Sequence, residues 1–290
     1  MGLLAAAVLS MLQAVQGIPG HLARGLIGQL RSDRIEEREA AARSLVALGT
    51  VILPQLEEAA SSRDVEVAGR ARVVVTAIEE PLARATFRNL ENTLNQAKTL
   101  TLRFGSEYWR TDVAEGVRKG SGVLVLKGDQ KIRMSYQPPP SKWAETLTFV
   151  SDGATLELSG QNPISRTPSP LFKNSLGTIF VRRGFREAER VLLLYTVGEI
   201  NEEAFTTSAS LKNLRKGPDD GDAKTLTYDV EAFGCDESRV TLWYDPKTSL
   251  ILKRSTDNTR FGAWSSRLIE TYDVQLDAAV PEERFALSRR

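Results

Sequence analysis

The stretch Leu90-Glu-Asn-Thr-Leu-Asn-Gln-Ala-Lys-Thr-Leu-Thr-Leu-Arg-Phe104 changes its hydrophobic period in the middle. Up to about Lys98 the apolar residues Leu82, Phe87, Leu90 and Leu94 share a near-common helical face, which predicts a helix beginning just after Pro81. From Leu100 the period drops to two. The same alternation returns in Thr146-Leu-Thr-Phe149, Thr155-Leu-Glu-Leu158, Thr225-Leu-Thr-Tyr-Asp-Val230, Val240-Thr-Leu-Trp-Tyr244 and Leu268-Ile-Glu-Thr-Tyr-Asp-Val-Gln-Leu276. Turn signals separate the runs, namely Ser151-Asp-Gly153, Asp219-Asp-Gly-Asp222 and Asp245-Pro-Lys-Thr248. Short strands joined in this way predict one large antiparallel sheet with an apolar face and a solvated face. Strand parity places Leu102, Phe104, Ile132, Met134, Tyr136, Leu147, Phe149, Leu156, Leu158, Leu226, Tyr228, Leu242 and Tyr244 on the apolar, concave face.

A sheet of that size must close, be covered, or leave an apolar hollow. The central insertion offers a cover. Pro163, Pro168 and Pro170 mark a loop, and Leu171-Phe172-Lys-Asn-Ser-Leu176-Gly-Thr-Ile179-Phe180 follows it. Phe172, Leu176, Ile179 and Phe180 are the expected lid residues; the same pattern also suits an ordinary core helix.

Upstream, residues 18–80 lack alternation and are rich in helix formers. They match themselves at an offset of thirty: Ile35 with Val65, Glu36 with Glu66, Ala41 with Ala71, Leu45 with Val75 and Leu48 with Ile78. Asp33 and Asp64 are placed to cap the two helices, Gly49 suits a helix end, and Pro54 suits a first turn. Asp33-Arg-Ile-Glu-Glu-Arg-Glu-Ala-Ala41 and Asp64-Val-Glu-Val-Ala-Gly-Arg-Ala71 resemble HEAT repeats. That resemblance implies a protein-contact surface, and two copies alone need a neighbour or partner to cover them.

The segment Leu3–Val15 is apolar but only about 13 residues long, short of the roughly 20 that cross a bilayer as a helix. It reads as a secretory leader over residues 1–17 with cleavage near Gly17, or as a core helix, in which case the chain is cytoplasmic.

The β region, residues 81–290, is similar to the periplasmic lipoprotein-carrier (LolA-like) superfamily. The residues that carry the likeness are Leu90–Phe104, Gly120-Ser-Gly-Val-Leu-Val-Leu-Lys127, Lys131-Ile-Arg-Met-Ser-Tyr136 with Pro138, and the hairpin Phe149-Val-Ser-Asp-Gly-Ala-Thr-Leu156. Tyr272-Asp-Val and Pro281-Glu-Glu-Arg-Phe285 complete it. The resemblance implies an unclosed half-barrel capped by helices, a periplasmic or secreted location, and a lipid or the acyl chains of a lipoprotein as ligand, with only transient membrane contact. Carriers of this family hold the lid with an arginine after the second strand. The matching position here is Gly128, beside Lys127.

Composition narrows the chemistry. The 290 residues carry 38 Lys plus Arg against 37 Asp plus Glu, a balance that argues against a nucleic-acid partner. With one Cys (Cys235) and one His (His21), no disulfide and no zinc site of N/S ligands can form, and no cofactor or metal is expected. Asp219–Asp222 lacks the spacing of a calcium loop and reads as a solvated turn. Glu57-Glu58 and Glu202-Glu203 are neighbours in sequence, which makes them poor acid–base pairs. Arg182, Arg183 and Arg186 read as solvated surface or as a seat for an anionic headgroup. Tyr108, Trp109, Trp143 and Trp264 read as core, or as a rim. No catalytic residues are assigned. The expectation is an α+β, non-enzymatic protein that buries acyl chains, at roughly 0.8 kcal/mol per methylene. The alternative is a scaffold or envelope sensor acting through the helical repeats.

Overall fold

In the computed structural model the described residues are 20–288, except 112–115, 139–144, 161–163, 173–174, 202, 204–209, 232–236 and 261–263. The expected leader lies outside them, as do Trp143, Pro163 and Cys235. No described helix is long and apolar enough to cross a membrane. The chain divides into two compact units between Arg84 and Ala85.

The first unit is helical: α1 (20–29), α2 (Ile35–Leu48), a 3-10 turn (Gly49–Ile52), α3 (Leu53–Ala60) and the first part of α4 (Val65–Gln96). Helices α2 and α4 begin at Ile35 and Val65, the two positions matched by the internal offset. The local bonding repeats as well. The Ser32 hydroxyl accepts the Arg34 N–H at 3.2 Å, and the Ser62 hydroxyl accepts the Asp64 N–H at 3.2 Å. Asp64 caps α4 by accepting from Glu66 and Val67 N–H at 3.0 and 3.2 Å. Asp33 does not cap α2, because it stands one residue too early; the cap position is Arg34, which makes no side-chain cap bond. Gly49 ends α2 at φ +68°, where a Cβ would be strained, and Pro54 sits in the first turn of α3. Leu30, Ala41, Leu45, Ile52, Leu56 and Ala71 form the core of this unit.

Pro81 does not start a new helix. α4 runs through it for 32 residues, losing one i→i−4 bond at the proline instead of breaking.

The second unit carries one antiparallel sheet of eleven strands in the order β6-β5-β4-β3-β2-β1-β11-β10-β9-β8-β7. Its strands are β1 (Thr99–Arg110), β2 (Arg118–Lys127), β3 (Lys131–Gln137), β4 (Leu147–Asp152), β5 (Thr155–Ser159) and β6 (Ser165–Pro168). They continue with β7 (Leu211–Lys216), β8 (Lys224–Glu231), β9 (Glu237–Asp245), β10 (Leu250–Arg260) and β11 (Trp264–Leu276). β6 and β7 are the two edges and do not pair with each other, so the sheet is an unclosed half-barrel. Its centre is β1, paired with β2 on one side and with β11 on the other. Helices α5 (Ser175–Arg183) and α6 (Phe185–Thr196), with the C-terminal part of α4, cover the inner face. On the outer face Val125 packs with Val280 and Phe285 of the chain end, where the 3-10 turn Glu282–Phe285 lies. Lys127 and Lys131 both pair with Glu282 there, at 2.7 and 2.6 Å, and hold its carboxyl down to about 2.

Candidate functional site

Register puts the concave-face residues where parity placed them. Met134 opposes Leu124 and Phe149, Phe149 opposes Leu158, Phe104 opposes Tyr272, and Leu226 opposes Leu242. Leu102, Phe104, Ile132, Met134, Tyr136, Phe149, Leu156, Leu158, Leu226, Tyr228 and Leu242 are buried; Leu147 and Tyr244 are half-buried. Arg133, the neighbour of Met134, points outward and donates to the Arg284 carbonyl at 3.2 Å. The inner face is filled by aromatic contacts from the covering helices. Phe185 of α6 stacks on Phe104 at 3.7 Å, Phe180 of α5 meets Tyr272 edge-on at 4.8 Å, and Phe87 of α4 meets Tyr228 at 5.3 Å. Phe104 in turn stacks on Tyr136 at 5.9 Å, across Gly122 between them in register. A Cβ at Gly122 would overlap the Phe104 ring, so glycine here makes room for that stack. Phe172, Leu176, Ile179 and Phe180, read from the sequence as a lid or an ordinary core helix, are all buried, and Phe172 N–H donates to the Asp129 carbonyl at 2.9 Å.

The covering helices are also held by a buried polar pair that sequence reasoning did not single out. Arg254 on β10 and Glu270 on β11 oppose each other in register, 1% and 0% exposed. The Arg254 guanidinium donates to the Val181 and Arg182 carbonyls at 3.0 and 2.6 Å, and to the Tyr228 hydroxyl at 3.1 Å. Glu270 accepts the Arg186 N–H at 3.1 Å and the Tyr272 hydroxyl at 2.9 Å. A cation therefore meets the C-terminal carbonyls of α5, and an anion meets the N-terminal amides of α6, which is what unsatisfied helix ends require. Burial pushes the Glu270 carboxyl up, opposed by Arg254, and burial pushes the Tyr272 phenol well up. Between the two helices Gly184 has φ +88°, and a Cβ there would overlap the Glu270 carboxylate. Gly128, the position matched to the lid-holding arginine, is a turn residue at φ +60°; the arginine that bonds the covering helices is Arg254, from the other half of the sheet.

The three arginines that read as solvated surface or as a seat for an anionic headgroup are half-buried. Arg182 is ion-paired with Glu91 of α4 at 2.7 Å. Arg186 lies over the Tyr108 and Tyr136 rings, 5.8 and 5.7 Å from their centroids. Beside it is a cavity of about 490 Å³ at the end of the half-barrel where β1, β2 and β10 meet α6. Arg110, Arg118, Arg186 and Arg190 line it with Glu187 and Glu189, against Tyr108, Trp109, Leu193 and Leu268. Tyr108 and Trp109 are thus rim residues, half-buried, and not core. Burial pushes the Glu189 carboxyl up to about 7, with Arg186 and Arg190 opposing and Glu187 adding to the rise. The Asp219–Asp222 turn is tied internally, Asp219 to Lys224 at 2.6 Å and Asp220 to the Trp243 indole N–H at 3.0 Å. Among the described residues no group of three or more His, Cys, Asp or Glu is arranged to hold a metal ion.

No family model matches the chain, and no curated protein matches it. Solved structures do. The LolA superfamily protein NE2245 from Nitrosomonas europaea matches at 12% identity and TM-score 0.33, covering 71% of this chain and 97% of that one. LprF from Mycobacterium bovis matches at 9% and 0.35, covering 70% and 96%. A putative outer membrane lipoprotein-sorting protein domain from Vibrio parahaemolyticus matches at 10% and 0.29, covering 70% and 97%.

Proposed function

We propose that the half-barrel unit binds an acyl-bearing ligand, a lipid or the acyl chains of a lipoprotein, in the cell envelope and without catalysis. The observation that carries this reading is the way its inner face is covered. The face is apolar over most of the sheet, yet much of its cover is a pair of short helices joined at Gly184 and fastened to the sheet by Arg254 and Glu270. Displacing those helices exposes an apolar surface of the kind that acyl chains bury well. The helical unit serves in the same reading as a protein-contact surface of HEAT-like repeats. Ile35 and Val65, at equivalent places in the repeat, are 59% and 84% exposed there.

The test has two arms. Organic extracts of the protein purified from its native envelope are analysed by mass spectrometry, and the purified chain is titrated with a fluorescent fatty acid. Recovery of acyl compounds and saturable probe binding are expected. Met134→Glu, which puts a carboxylate on the inner face, loses the probe, whereas Arg133→Glu on the outer face keeps it. Empty extracts together with a wild-type protein that binds no probe would refute the reading.

A further inference from the structure

The cavity beside α6 differs from the inner face in chemistry, with four arginines against two glutamates around about 490 Å³. Arg186 is its central group. The guanidinium is half-buried and held by two tyrosine rings, and among the described residues it makes no hydrogen bond or ion pair. Five N–H donors in a fixed fork, partly shielded from water and unspent on the protein, match an oxyanion with several acceptor oxygens. Two further atoms nearby are unsatisfied. The Tyr136 hydroxyl, on a residue 3% exposed and lying under Arg186, has no hydrogen-bond partner, and neither does Oε2 of the cavity residue Glu187. Only the second belongs to a residue lining the cavity, and a hydroxyl or ammonium beyond the phosphate suits it. The neighbouring Glu189, pushed up to about 7, is only about half ionised at neutral pH and so opposes an anion less than an ordinary carboxylate would.

Position adds the rest of the argument. Arg186 rests on Tyr136, Tyr136 on Phe104, and Phe104 on Phe185, so a run of stacked rings leads from the polar cavity to the apolar interior. Leu193 and Leu268 line the cavity's apolar side. We infer that this cavity seats the phosphodiester headgroup of an amphiphile, with Arg186 as the principal phosphate ligand and the acyl chains directed to the inner face. The inference rests on the proposed acyl-binding reading and names its ligand class, a phospholipid whose headgroup carries a donor.

Isothermal titration with three short-chain probes tests it: dihexanoylphosphatidylglycerol, dihexanoylglycerol, and glycerol phosphate without acyl chains. Phosphatidylglycerol should bind at least about tenfold more tightly than dihexanoylglycerol, the worth of a charge-assisted bond, and glycerol phosphate should compete with it weakly. Arg186→Gln should abolish that tenfold preference while leaving dihexanoylglycerol binding and the melting curve unchanged. Arg186→Lys, which keeps the charge and loses the fork, should fall between. Equal binding of the two dihexanoyl probes, or an Arg186→Gln variant that keeps the preference, overturns the headgroup site and leaves the acyl-binding reading standing. Binding of glycerol phosphate alone, with neither amphiphile bound, overturns the acyl reading and reduces the cavity to a site for free phosphate. No binding by any probe overturns both.

Discussion

Replacing Glu189 by Gln should stabilise the protein at alkaline pH and leave it nearly unchanged in acid. Glu189 sits on the sheet side of α6, 9% exposed, and burial raises its carboxyl from an ordinary 4.5 to about 7. The groups facing it are Arg186, Glu187 and Arg190 on its own helix and Tyr136 from β3. The fold therefore prefers the neutral acid. Below pH 4.5 the carboxyl is protonated in both folded and unfolded chains, and no penalty arises. Between 4.5 and about 7 the unfolded chain gives up its proton while the folded one keeps it, so stability falls as pH rises. Above about 7 the penalty is complete, about 3 kcal/mol for a displacement of this size. Gln is a neutral near-isostere and carries no such penalty. Urea denaturation of both proteins at pH 5 and pH 8, at one ionic strength, isolates the effect, because other titrating groups cancel between them. The variant should gain up to about 3 kcal/mol at pH 8, a rise of about 6–12 °C in Tm for a unit of this length. A variant less stable than wild type at pH 8 would refute the reasoning, since it would mean that the ionised carboxylate is held by Arg186 or Arg190.

Three further outcomes follow from the same contacts. Arg254→Met should cost about 3–5 kcal/mol by leaving Glu270 buried without its cation, and the double variant Arg254→Met/Glu270→Met should recover most of that loss; equal losses in the single and double variants, read by urea denaturation, would count against the pair. Gly184→Ala should destabilise by about 1–3 kcal/mol, because its φ of +88° disfavours a Cβ and the new methyl overlaps Glu270; an unchanged Tm would remove the junction argument. Asp64→Ala should cost about 1 kcal/mol through the lost cap of α4, and Asp33→Ala should cost nothing measurable, a contrast that thermal melts of the two variants decide.

Most of the half-barrel was legible because period two is a strong signal wherever one face is buried. The runs from Leu100, Lys131, Thr155, Thr225, Val240 and Leu268 all became strands with the expected residues inward. Three strands were not legible. β6, Ser165–Pro168, and β7, Leu211–Lys216, are short polar edges, where no alternation is needed because little is buried. β10 was hidden by a bulge. Its register against β9 shifts between Ile251 and Lys253, leaving Leu252 40% exposed and turning Arg254 inward. Strict alternation counted from Ile251 would have put Arg254 in solvent, so the residue that fastens the covering helices reads in sequence as an ordinary surface charge. Glu270 was the available clue. It occupies the inward parity of Leu268, Tyr272 and Val274, a carboxyl on an apolar stripe, and such a residue needs a buried partner. Pro81 misled in the opposite direction, since a local breaker was overridden by the packing of a 32-residue helix.

The Arg254–Glu270 pair is better understood as a device for placement than as a source of stability. Two charges taken fully out of water are costly, and an apolar pair of the same volume commonly does as well. What an apolar pair lacks is polarity along the helix axis. Phe180 and Phe185 pack through ring faces and edges, contacts that tolerate sliding by a fraction of an ångström. Arg254 can only donate and, on the helices, meets carbonyls, while Glu270 accepts from N–H or O–H donors, so α5 presents its C-terminus and α6 its N-terminus at that point of the sheet. A slipped or reversed hairpin leaves both charges buried and unpaired. The bonds of 2.6–3.1 Å thus fix the junction of α5 and α6 to one place on the sheet.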